Sequence, residues 1–584
     1  MPELNPVLTK ILWNRLISIV DEAATGLVRT SYSIVVRDYH DYCVGIFDAQ
    51  GNMLVHSTKT APGFIGMMPI VMKRFLEVYP ADTLVEGDAM VTNDPWLATG
   101  HLLDLTIAIP IFFENRLLGF AVCVVHHLDI GGRMACIESK DMFEEGLKIP
   151  IMKLCEGGRR NETVFEFIRA NVRMAPKVLG DVNAQFSALN ICAAGVLKMI
   201  REYGYSDLDA LAETIIALAG RSMRNSIRSL PNGTYHNAVD LPAVGRLQQP
   251  MHINVVVEVR DEEITVDYSG SSPQIEAAVN VTLPFTTSYT TYGLKVILDP
   301  DVPNNAGCLA PITVKAPEGS LLNCKPPAPT WGRTIIAHNL PEIVFGALAE
   351  ALPERVIAAC GSTPLVAMYF NGHKNNGQEF LSIVSHSGGF GASGQSDGYG
   401  ALCFPFNTAA IPVEVTENDT CLVYQKKEFA VDTGGPGQFR GGLGQEVIFS
   451  VATGDHAPLA PVASTIRGSS RKPDSSYPVF GRKGGKPGRG ALITVKEEPI
   501  LPGMGYRLDA GDIVRLVLPG GGGFGCPLDR DPELVRADVI AGYVSKNSAL
   551  EEYGVALKGP DMVVDVAMTR QARHELAASL QITT

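Results

Sequence analysis

Glycine and proline are frequent in this chain, and both residues are typical of turns. The 584 residues include 58 glycines and 38 prolines, which favour turns and break helices. The longest apolar run, Leu117–Val125, is about half of the ~18–20 residues that a membrane-spanning helix needs. We therefore expect a turn-rich, strand-rich body and no membrane segment.

Charge and cysteine content narrow the class of protein further. The chain carries 49 Lys and Arg against 62 Asp and Glu, a formal net charge of −13, which argues against a nucleic-acid partner. Its 11 cysteines are scattered and form no C-x-x-C pair, so we expect reduced thiols rather than disulfides or thiolate zinc sites. The N-terminus lacks the basic start and apolar stretch of a secretory signal, and we expect a cytoplasmic protein.

Hydrophobic periodicity divides the chain into three predicted segments with an α+β fold class. Residues 1–230 are expected to form a mixed α/β region, because helical spacing near Val7–Arg29 and between about 140 and 230 encloses short apolar runs typical of strands. Residues 231–525 are expected to form a β-rich body with one helix near Leu340–Leu352, and residues 526–584 a helical tail.

Histidines and carboxylates cluster around one predicted hairpin. An H-x-x-D motif, His101 to Asp104, precedes one apolar run, and a second, His126 to Asp129, follows the next. A turn at Glu114-Asn115 would place the two motifs side by side. Imidazole nitrogen and carboxylate oxygen are ligands for zinc or manganese at catalytic sites, so we predict a metal site here. The alternative is that these residues cap strands and satisfy turns.

Other motifs carry less information. Gly394–Gly398 fits G-x-S-x-G but lacks a strand-to-helix elbow, and no nucleotide-binding P-loop occurs in the chain. Gly434–Gly437 and Gly520–Gly525 are typical of tight turns, with anion binding as the alternative. The basic stretch from Arg467 to Gly490 is either a solvated loop or a surface for a phosphate or a partner.

A series of short motifs runs along the chain in an order typical of one family. They are Arg29-Thr30, Asp41–Cys43, Phe47–Gly51, Gly87-Asp88, Thr92–Pro95, Gly100-His101 with Asp104, His126 with Asp129–Gly132, Phe143–Leu147, Asn171–Arg173, Gly180-Asp181, Val266–Gly270, Pro412–Val415, Phe439–Gly444, Pro519–Gly525 and Tyr553–Val555. From about Asn5 to Leu557 the chain therefore closely resembles the hydantoinase B/oxoprolinase family, which includes B-type hydantoinase subunits, 5-oxoprolinases, the caprolactamase β subunit and, more distantly, acetone and acetophenone carboxylases.

The resemblance implies a ligand set. It assigns Asp41, His101, Asp104 and His126 to a divalent metal, with zinc expected and manganese as the alternative, and it selects His126 rather than its neighbour. The other polar residues of that second motif, His127 and Asp129, are our candidate catalytic residues, and Asp129 alternatively orients the His126 ring.

The resemblance also implies a function and a partner. We expect a metal-dependent B-type subunit of an amidohydrolase that opens a lactam or cyclic imide after an A-type, ATP-binding subunit has phosphorylated it. The expected assembly is α2β2, with no cofactor site other than the metal on this chain. Alternatives are a subunit of an acetone- or acetophenone-type carboxylase that uses bicarbonate and a ketone, and a non-catalytic scaffold subunit.

Two departures from the family pattern bear on the substrate. Many members have P-x-H-x-G where this chain has Pro62–Gly66, with Phe64 at the histidine position. Many also have G-G-T-H-L-P-D where this chain reads Ala98–Asp104. The two implied ligands of this segment, His101 and Asp104, are retained. An apolar side chain in place of a polar one suggests a more apolar substrate than hydantoin or oxoproline.

Overall fold

The computed structural model describes residues 4–247, 250–467, 477–500 and 502–582. The helices in these residues are α1 (Pro6–Thr30), α2 (Ile34–Arg37), α3 (Pro62–Ile65), α4 (Met68–Val78), α5 (Glu162–Asn171), α6 (Ala175–Tyr203), α7 (Asp209–Arg228), α8 (Leu283–Leu298), α9 (Ala306–Leu309), α10 (Thr334–Ala337), α11 (Leu340–Leu348), α12 (Val413–Asp419), α13 (Pro532–Ile540), α14 (Lys546–Tyr553) and α15 (Val566–Ile582). Short 3-10 helices occur at Ala81–Thr83, Met142–Glu144, Gly454–His456 and Pro527–Asp529. Within these bounds, no helix combines the length and apolar composition needed to cross a bilayer.

Strands make up most of the remaining regular structure. They are β1 (Tyr42–Asp48), β2 (Met53–His56), β3 (Ala89–Thr92), β4 (Asp104–Phe113), β5 (Arg116–His126), β6 (Met152–Glu156), β7 (Arg159–Arg160), β8 (Gly233–Leu241), β9 (Met251–Arg260), β10 (Glu263–Asp267), β11 (Ile312–Lys315), β12 (Val366–His373), β13 (Glu379–His386), β14 (Leu422–Phe429), β15 (Gln445–Val451), β16 (Val462–Arg467), β17 (Leu492–Val495), β18 (Glu498–Pro499), β19 (Gly505–Leu508), β20 (Ile513–Val517), β21 (Leu557–Lys558) and β22 (Val563–Val564). Helices and several separate sheets in one chain confirm the α+β class.

The chain divides into two units, each assembled from separated segments. Unit 1 contains Met1–Ala238, Ile253–Ala347 and Phe406–Pro412, and unit 2 contains the segments between and after them. Residues 253–347 therefore fold with the N-terminal region, although they lie far from it in sequence. The three linear segments 1–230, 231–525 and 526–584 stay a prediction about domains.

A seven-stranded sheet in the order β2-β1-β5-β4-β3-β6-β7 forms the centre of unit 1. Helices α1 and α6 pack on one face of it, and their apolar side chains share a core with alternate residues of the strands, such as Leu105, Ile107, Cys123 and Val125. Because successive side chains of a strand point to opposite faces, the even-numbered residues from 104 to 108 of β4 and from 120 to 126 of β5 face away from α6.

The central hairpin of this sheet has the predicted turn. Strands β4 and β5 pair antiparallel through a two-residue loop, Glu114-Asn115, with Phe113 opposite Arg116. Both loop residues have positive φ, 49° and 65°, as the commonest two-residue hairpin turn requires. This turn fixes the register that pairs Asp104 with His126 at the far end of the hairpin.

Helix α8 is an element that the sequence-based prediction did not include. It lies in the region expected to be strand-rich, and its Thr- and Tyr-rich sequence has high strand propensity. Burial explains the difference, because Phe285, Tyr289 and Leu294 are almost fully buried in unit 1. The burial of these side chains in the tertiary structure outweighs the strand propensity of the α8 sequence. A second sheet, in the order β11-β10-β9-β8, comprises the other strands between residues 233 and 315.

The described part of unit 2 contains two larger sheets, the small sheet β21-β22 and a glycine-rich junction. The two larger sheets have the orders β13-β12-β16-β19 and β14-β15-β20-β17-β18, and their apolar faces form one core. Glycines from 388–400, 434–444 and 520–525 lie backbone against backbone, with hydrogen bonds such as Gly442 N to Phe390 O at 2.9 Å. These contacts join segments that are far apart in sequence, and residues 520–523 form no turn of their own, so they do not support the interpretation of tight turns there.

The weaker sequence motifs have structural partners in unit 2. Within the G-x-S-x-G match, Ser396 contacts Ser393 in a local turn and the Asp397 carboxylate accepts from Arg530 at 2.7 Å. In the basic stretch, Lys486 pairs with Glu552, and Arg482 donates to the Ile357 carbonyl. Arg471 and Lys472 lie outside the described residues.

Candidate metal centre

Three neighbouring strands end at one edge of the central sheet. Strands β1 and β4 begin there and β5 ends there, because β5 is antiparallel to both. Asp41 precedes β1, Asp104 opens β4 and His126 closes β5. The pairing of β1 with β5 extends one residue beyond the start of β1, because His126 N donates to Asp41 O at 3.1 Å. Local turn chemistry and strand register therefore bring together residues that are far apart in sequence.

The Asp104 carboxylate is the centre of a buried cluster. Its Oδ1 lies 2.8 Å from His101 Nε2 and 2.8 Å from His126 Nδ1. The two imidazole rings lie close together, with centroids 5.1 Å apart. His101, Asp104 and His126 each offer one donor atom, and these atoms lie within 4.8 Å of one another, so the three residues could hold a metal ion.

The other Asp104 oxygen accepts from an arginine. Arg333 Nη2 lies 3.1 Å from Asp104 Oδ2, and Arg333 Nε donates to the Thr99 carbonyl at 2.7 Å. The guanidinium also lies over the Phe285 ring of α8, 4.0 Å from its centroid. Asp104 and Arg333 are 0% and 4% exposed, so this ion pair is shielded from water.

Burial and the neighbouring side chains together set the protonation states that a metal requires. Burial lowers the pKa of His101 to about 3, and the Arg333 charge adds to that shift, so the ring is neutral at pH 7. Burial alone would raise the pKa of Asp104, but its interactions with the His101 and His126 rings lower it well below its usual range. Neutral imidazole and ionised carboxylate are the forms that bind metals.

The hydrogen-bonding state of His101 tests whether a metal fits. Both of its ring nitrogens are buried. Nε2 interacts with Asp104 Oδ1 at 2.8 Å, whereas Nδ1 has no hydrogen-bond partner. A buried polar atom without a partner costs about 1–3 kcal/mol, and a metal ion bound by that nitrogen would remove the cost. The donor set and this unsatisfied nitrogen both fit a divalent metal.

Sequence comparison identifies the family. A profile of the hydantoinase B/oxoprolinase family matches residues 5–527. The chain belongs to this family. It is 30% identical to the B-type component of a putative D-/L-hydantoinase of Pseudomonas sp. (strain NS671) over 98% of both chains. It is 27% identical to a 5-oxoprolinase of Pestalotiopsis fici, over 92% of this chain and 43% of that one.

Solved structures of similar proteins confirm the fold. The ATP-dependent caprolactamase from Pseudomonas jessenii is 27% identical, with a TM-score of 0.88 over 98% of this chain and 100% of the matched chain. A nucleotide-free acetone carboxylase has a TM-score of 0.86 over 99% of this chain and 84% of its own chain, at 21% identity. At that identity the carboxylase supports the fold alone.

The structure brings three of the four family-implied ligands into direct contact and places the fourth beside them. Asp41 Oδ2 lies 3.9 Å from His126 Nδ1, and Asp41 is 3% exposed. The preceding residue, His40, has φ 61°, a left-handed conformation that turns the chain from α2 into β1. The assignment of all four residues as ligands stays a prediction.

The candidate catalytic residues lie elsewhere. His127 is on the opposite face from His126, as strand alternation requires, and its Nε2 lies 3.1 Å from Gln185 Oε1 of α6. The Asp129 carboxylate accepts from Arg173 and from Gly131 N, whereas the carboxylate that contacts the His126 ring is Asp104. These contacts favour structural roles, and a catalytic role for His127 or Asp129 stays a prediction.

Sequence reasoning missed Arg333. This residue is separated from Asp104 by 229 positions, and no motif links the two. One signal was available, because Arg333 is the only Lys, Arg, Asp or Glu between Lys325 and Glu342. A single charge in an apolar segment usually has a buried partner.

Proposed function

We propose that this chain is the metal-dependent B-type subunit of an ATP-dependent amidohydrolase that opens a lactam or cyclic imide. His101, Asp104 and His126, with Asp41, would hold a zinc ion, and manganese is the alternative. When bound, the metal would polarise the substrate carbonyl or lower the pKa of a water molecule that attacks it. The chain's own residues supply the orientation of the ligands and exclude bulk water.

One observation carries the proposal. His101 is buried and neutral at pH 7, its Nδ1 has no hydrogen-bond partner, and its Nε2 lies 2.8 Å from an ionised carboxylate. A purely structural histidine in a core normally satisfies its ring nitrogens. Structural zinc sites usually include cysteine, whereas this cluster has only histidine and carboxylate.

A separate polypeptide is proposed to bind ATP. The chain matches 98% of the length of the hydantoinase relative but 43% of the length of the 5-oxoprolinase relative, as expected for one component of a divided enzyme. The names of two relatives, a hydantoinase B-type component and the β subunit of caprolactamase, support an A-type partner. We propose that this partner phosphorylates the substrate in the cytoplasm, in an α2β2 assembly.

The substrate is proposed to be more apolar than hydantoin or 5-oxoproline. Phe64 replaces a histidine common in the family and is buried in α3. Helix α3 packs against α8, which carries the Phe285 ring beneath Arg333. Removing a polar group from this neighbourhood favours a ring with fewer hydrogen-bonding groups, such as a caprolactam-like lactam.

The first experiment measures metal content in the purified chain by elemental analysis. We expect about one equivalent of zinc or manganese per chain, lost in His101→Ala and in His126→Ala. His373→Ala is a matched control, because His373 is exposed in unit 2 and should leave the metal content unchanged. Metal-free wild-type protein, or metal retained by both ligand variants, would contradict the metal site.

The second experiment tests the reaction. With ATP and an A-type partner, we expect ring opening of lactams by the wild-type chain and none by His101→Ala or Asp104→Ala. Label from isotopic bicarbonate in the product would instead support the carboxylase alternative. Full turnover by the A-type partner alone would support the scaffold alternative.

A further inference from the structure

Arg333 determines how Asp104 faces the histidines. Its Nη2 donates a hydrogen bond to Asp104 Oδ2 at 3.1 Å. The other carboxylate oxygen, Oδ1, lies 2.8 Å from both imidazoles. The second anchor of the guanidinium, Nε to Thr99 O, is on the loop that carries His101. One planar group therefore fixes both the carboxylate and the loop of its neighbouring ligand.

Two glycines make room for this arrangement. Gly100 has φ 83°, and a Cβ there would lie 2.9 Å from Arg333 Cδ. At Gly332, a Cβ would lie 2.6 Å from the Ala278 carbonyl oxygen. The side chain of Arg333 thus passes directly over the backbone of the His101 loop, and the loop that presents it packs without space for a methyl group.

Glu145 holds the Arg333 loop from the other side. Its Oε1 accepts from Thr330 N and Trp331 N, each at 2.9 Å, and Oε2 lies 3.1 Å from Thr330 N. Glu145 is itself buried, so these backbone donors are its main compensation for the loss of water. Displacing this carboxylate would loosen the residues that immediately precede Arg333.

We propose that Arg333 is a positioning residue that restricts Asp104 to a single-oxygen metal ligand, with Glu145 fixing the loop that presents it. The inference rests on the proposed function, because it assumes that the cluster binds a metal. A single oxygen keeps the number of protein ligands low, which favours zinc over metals that prefer more oxygen ligands. Arg333 therefore sets metal preference rather than binding the metal.

The test measures metal preference in the full-length chain with Arg333→Met. Methionine keeps much of the apolar contact with Phe285 but removes the hydrogen bonds to Thr99 O and Asp104 Oδ2, so Asp104 Oδ2 can join Oδ1 on the metal. We expect the ratio of the Mn²⁺ to the Zn²⁺ dissociation constant to fall about tenfold. The ratio is informative because the lost positive charge affects both dications alike. Visible absorption of bound Co²⁺ should weaken, since it decreases as coordination number rises.

Arg173→Met is the matched control. Arg173 pairs with Asp129 of the second H-x-x-D motif, whereas the carboxylate hydrogen-bonded to the His126 ring is that of Asp104. We expect its Mn²⁺ to Zn²⁺ ratio and Co²⁺ spectrum to equal those of the wild type. A shift as large as that of Arg333→Met would overturn the proposal, because the loss of an arginine that pairs with a different aspartate would then have the same effect.

Two further variants separate charge from geometry. Arg333→Lys keeps the charge but cannot contact Thr99 O and Asp104 Oδ2 with one planar group, so we expect it to behave like Arg333→Met. Glu145→Gln should shift the ratio in the same direction by a smaller factor. If Arg333→Met does not fold, Arg333→Lys carries the test.

The outcomes distinguish this proposal from the proposed function. Wild-type protein that binds no metal would overturn both. Wild-type protein that binds metal, with an unchanged ratio and Co²⁺ spectrum in folded Arg333→Met or Arg333→Lys, would overturn the positioning role alone. A wild-type spectrum restored by Arg333→Lys would also overturn it, because charge would then suffice.

Discussion

Unit 1 and unit 2 each contain a buried region that ordinary cores lack, and the two are built in opposite ways. In unit 1, His101, Asp104 and His126 form what we call the strand-edge cluster. It places ionisable side chains inside the protein, and Arg333 pairs with its carboxylate. The glycine-rich junction of unit 2 has almost no side chains and brings backbones into direct contact. Chemistry is therefore expected in the first region, whereas the second is a packing device.

The contrast also explains two motifs that look functional in sequence. The glycines of Phe439–Gly444 and Pro519–Gly525 are required by backbone contact, since a Cβ at Gly441 would lie 1.9 Å from Gly521 O. In the strand-edge cluster, Gly100 is required by a side chain, Arg333. Glycine is required for a different reason in each region, and only the tertiary contacts show which reason applies.

The largest expected effect is on the glycine-rich junction. In Gly442→Ala the new Cβ would lie 1.9 Å from Tyr399 O, a backbone atom that cannot move aside. We expect a loss of about 5 kcal/mol in the free energy of unfolding, measured by urea denaturation. Gly505→Ala is the control, because its nearest atom is 4.0 Å away, and it should change stability by less than about 1 kcal/mol. If Gly442→Ala and Gly505→Ala lowered the free energy of unfolding equally, close backbone contact would not explain the glycine at 442.

The next effect compares two buried carboxylates that pair with arginine. Asp104 pairs with Arg333 in unit 1, and Asp538 pairs with Arg530 in unit 2 at 2.8 Å. We expect Asp104→Asn to lose about 4 kcal/mol in metal-free protein, because it removes the carboxylate that pairs with the buried Arg333 guanidinium. Asp538→Asn should lose less, because Asp397 still pairs with Arg530. Zinc at about 100 times its dissociation constant should stabilise the wild type and Asp538→Asn by about 3 kcal/mol.

Asp104→Asn should show no zinc stabilisation. The measurement is the unfolding midpoint with and without added zinc. If Asp104→Asn responds to zinc as the wild type does, the two carboxylates are equivalent, and the strand-edge cluster is a structural ion pair like the one in unit 2.

The smallest effect concerns pH. Burial raises the pKa of Glu145 from 4.5 to about 7. Between these values the folded chain holds more protons than the unfolded chain, so this group contributes stability that is fully present below about pH 4.5 and is lost as pH rises to about 7. The shift corresponds to about 3 kcal/mol. Glu145→Gln should remove that dependence on pH. The measurement is the difference in unfolding free energy between wild type and variant from about pH 4.5 to about pH 8. An identical slope in both would contradict the assignment.

Much of unit 1 follows from sequence because its determinants are local. The apolar spacing of α1 and the turn at Glu114-Asn115 depend on residues within a few positions of one another. The same turn fixes the register that pairs Asp104 with His126, so three members of the cluster were predictable before any tertiary contact. The helix α8 was not, because its local propensity favours strands and its burial decides otherwise.

The sequence by itself determined the hairpin, the helical periods and the residue types at the strand edge, since these depend on side-chain alternation and turn chemistry. Tertiary structure alone decided the partner of Asp104, the orientation of Asp129 toward Arg173 and the joining of residues 253–347 to the N-terminal region. The physical reason is that a buried charge must be balanced in space, and the chain can supply the balancing charge from any distance along its length.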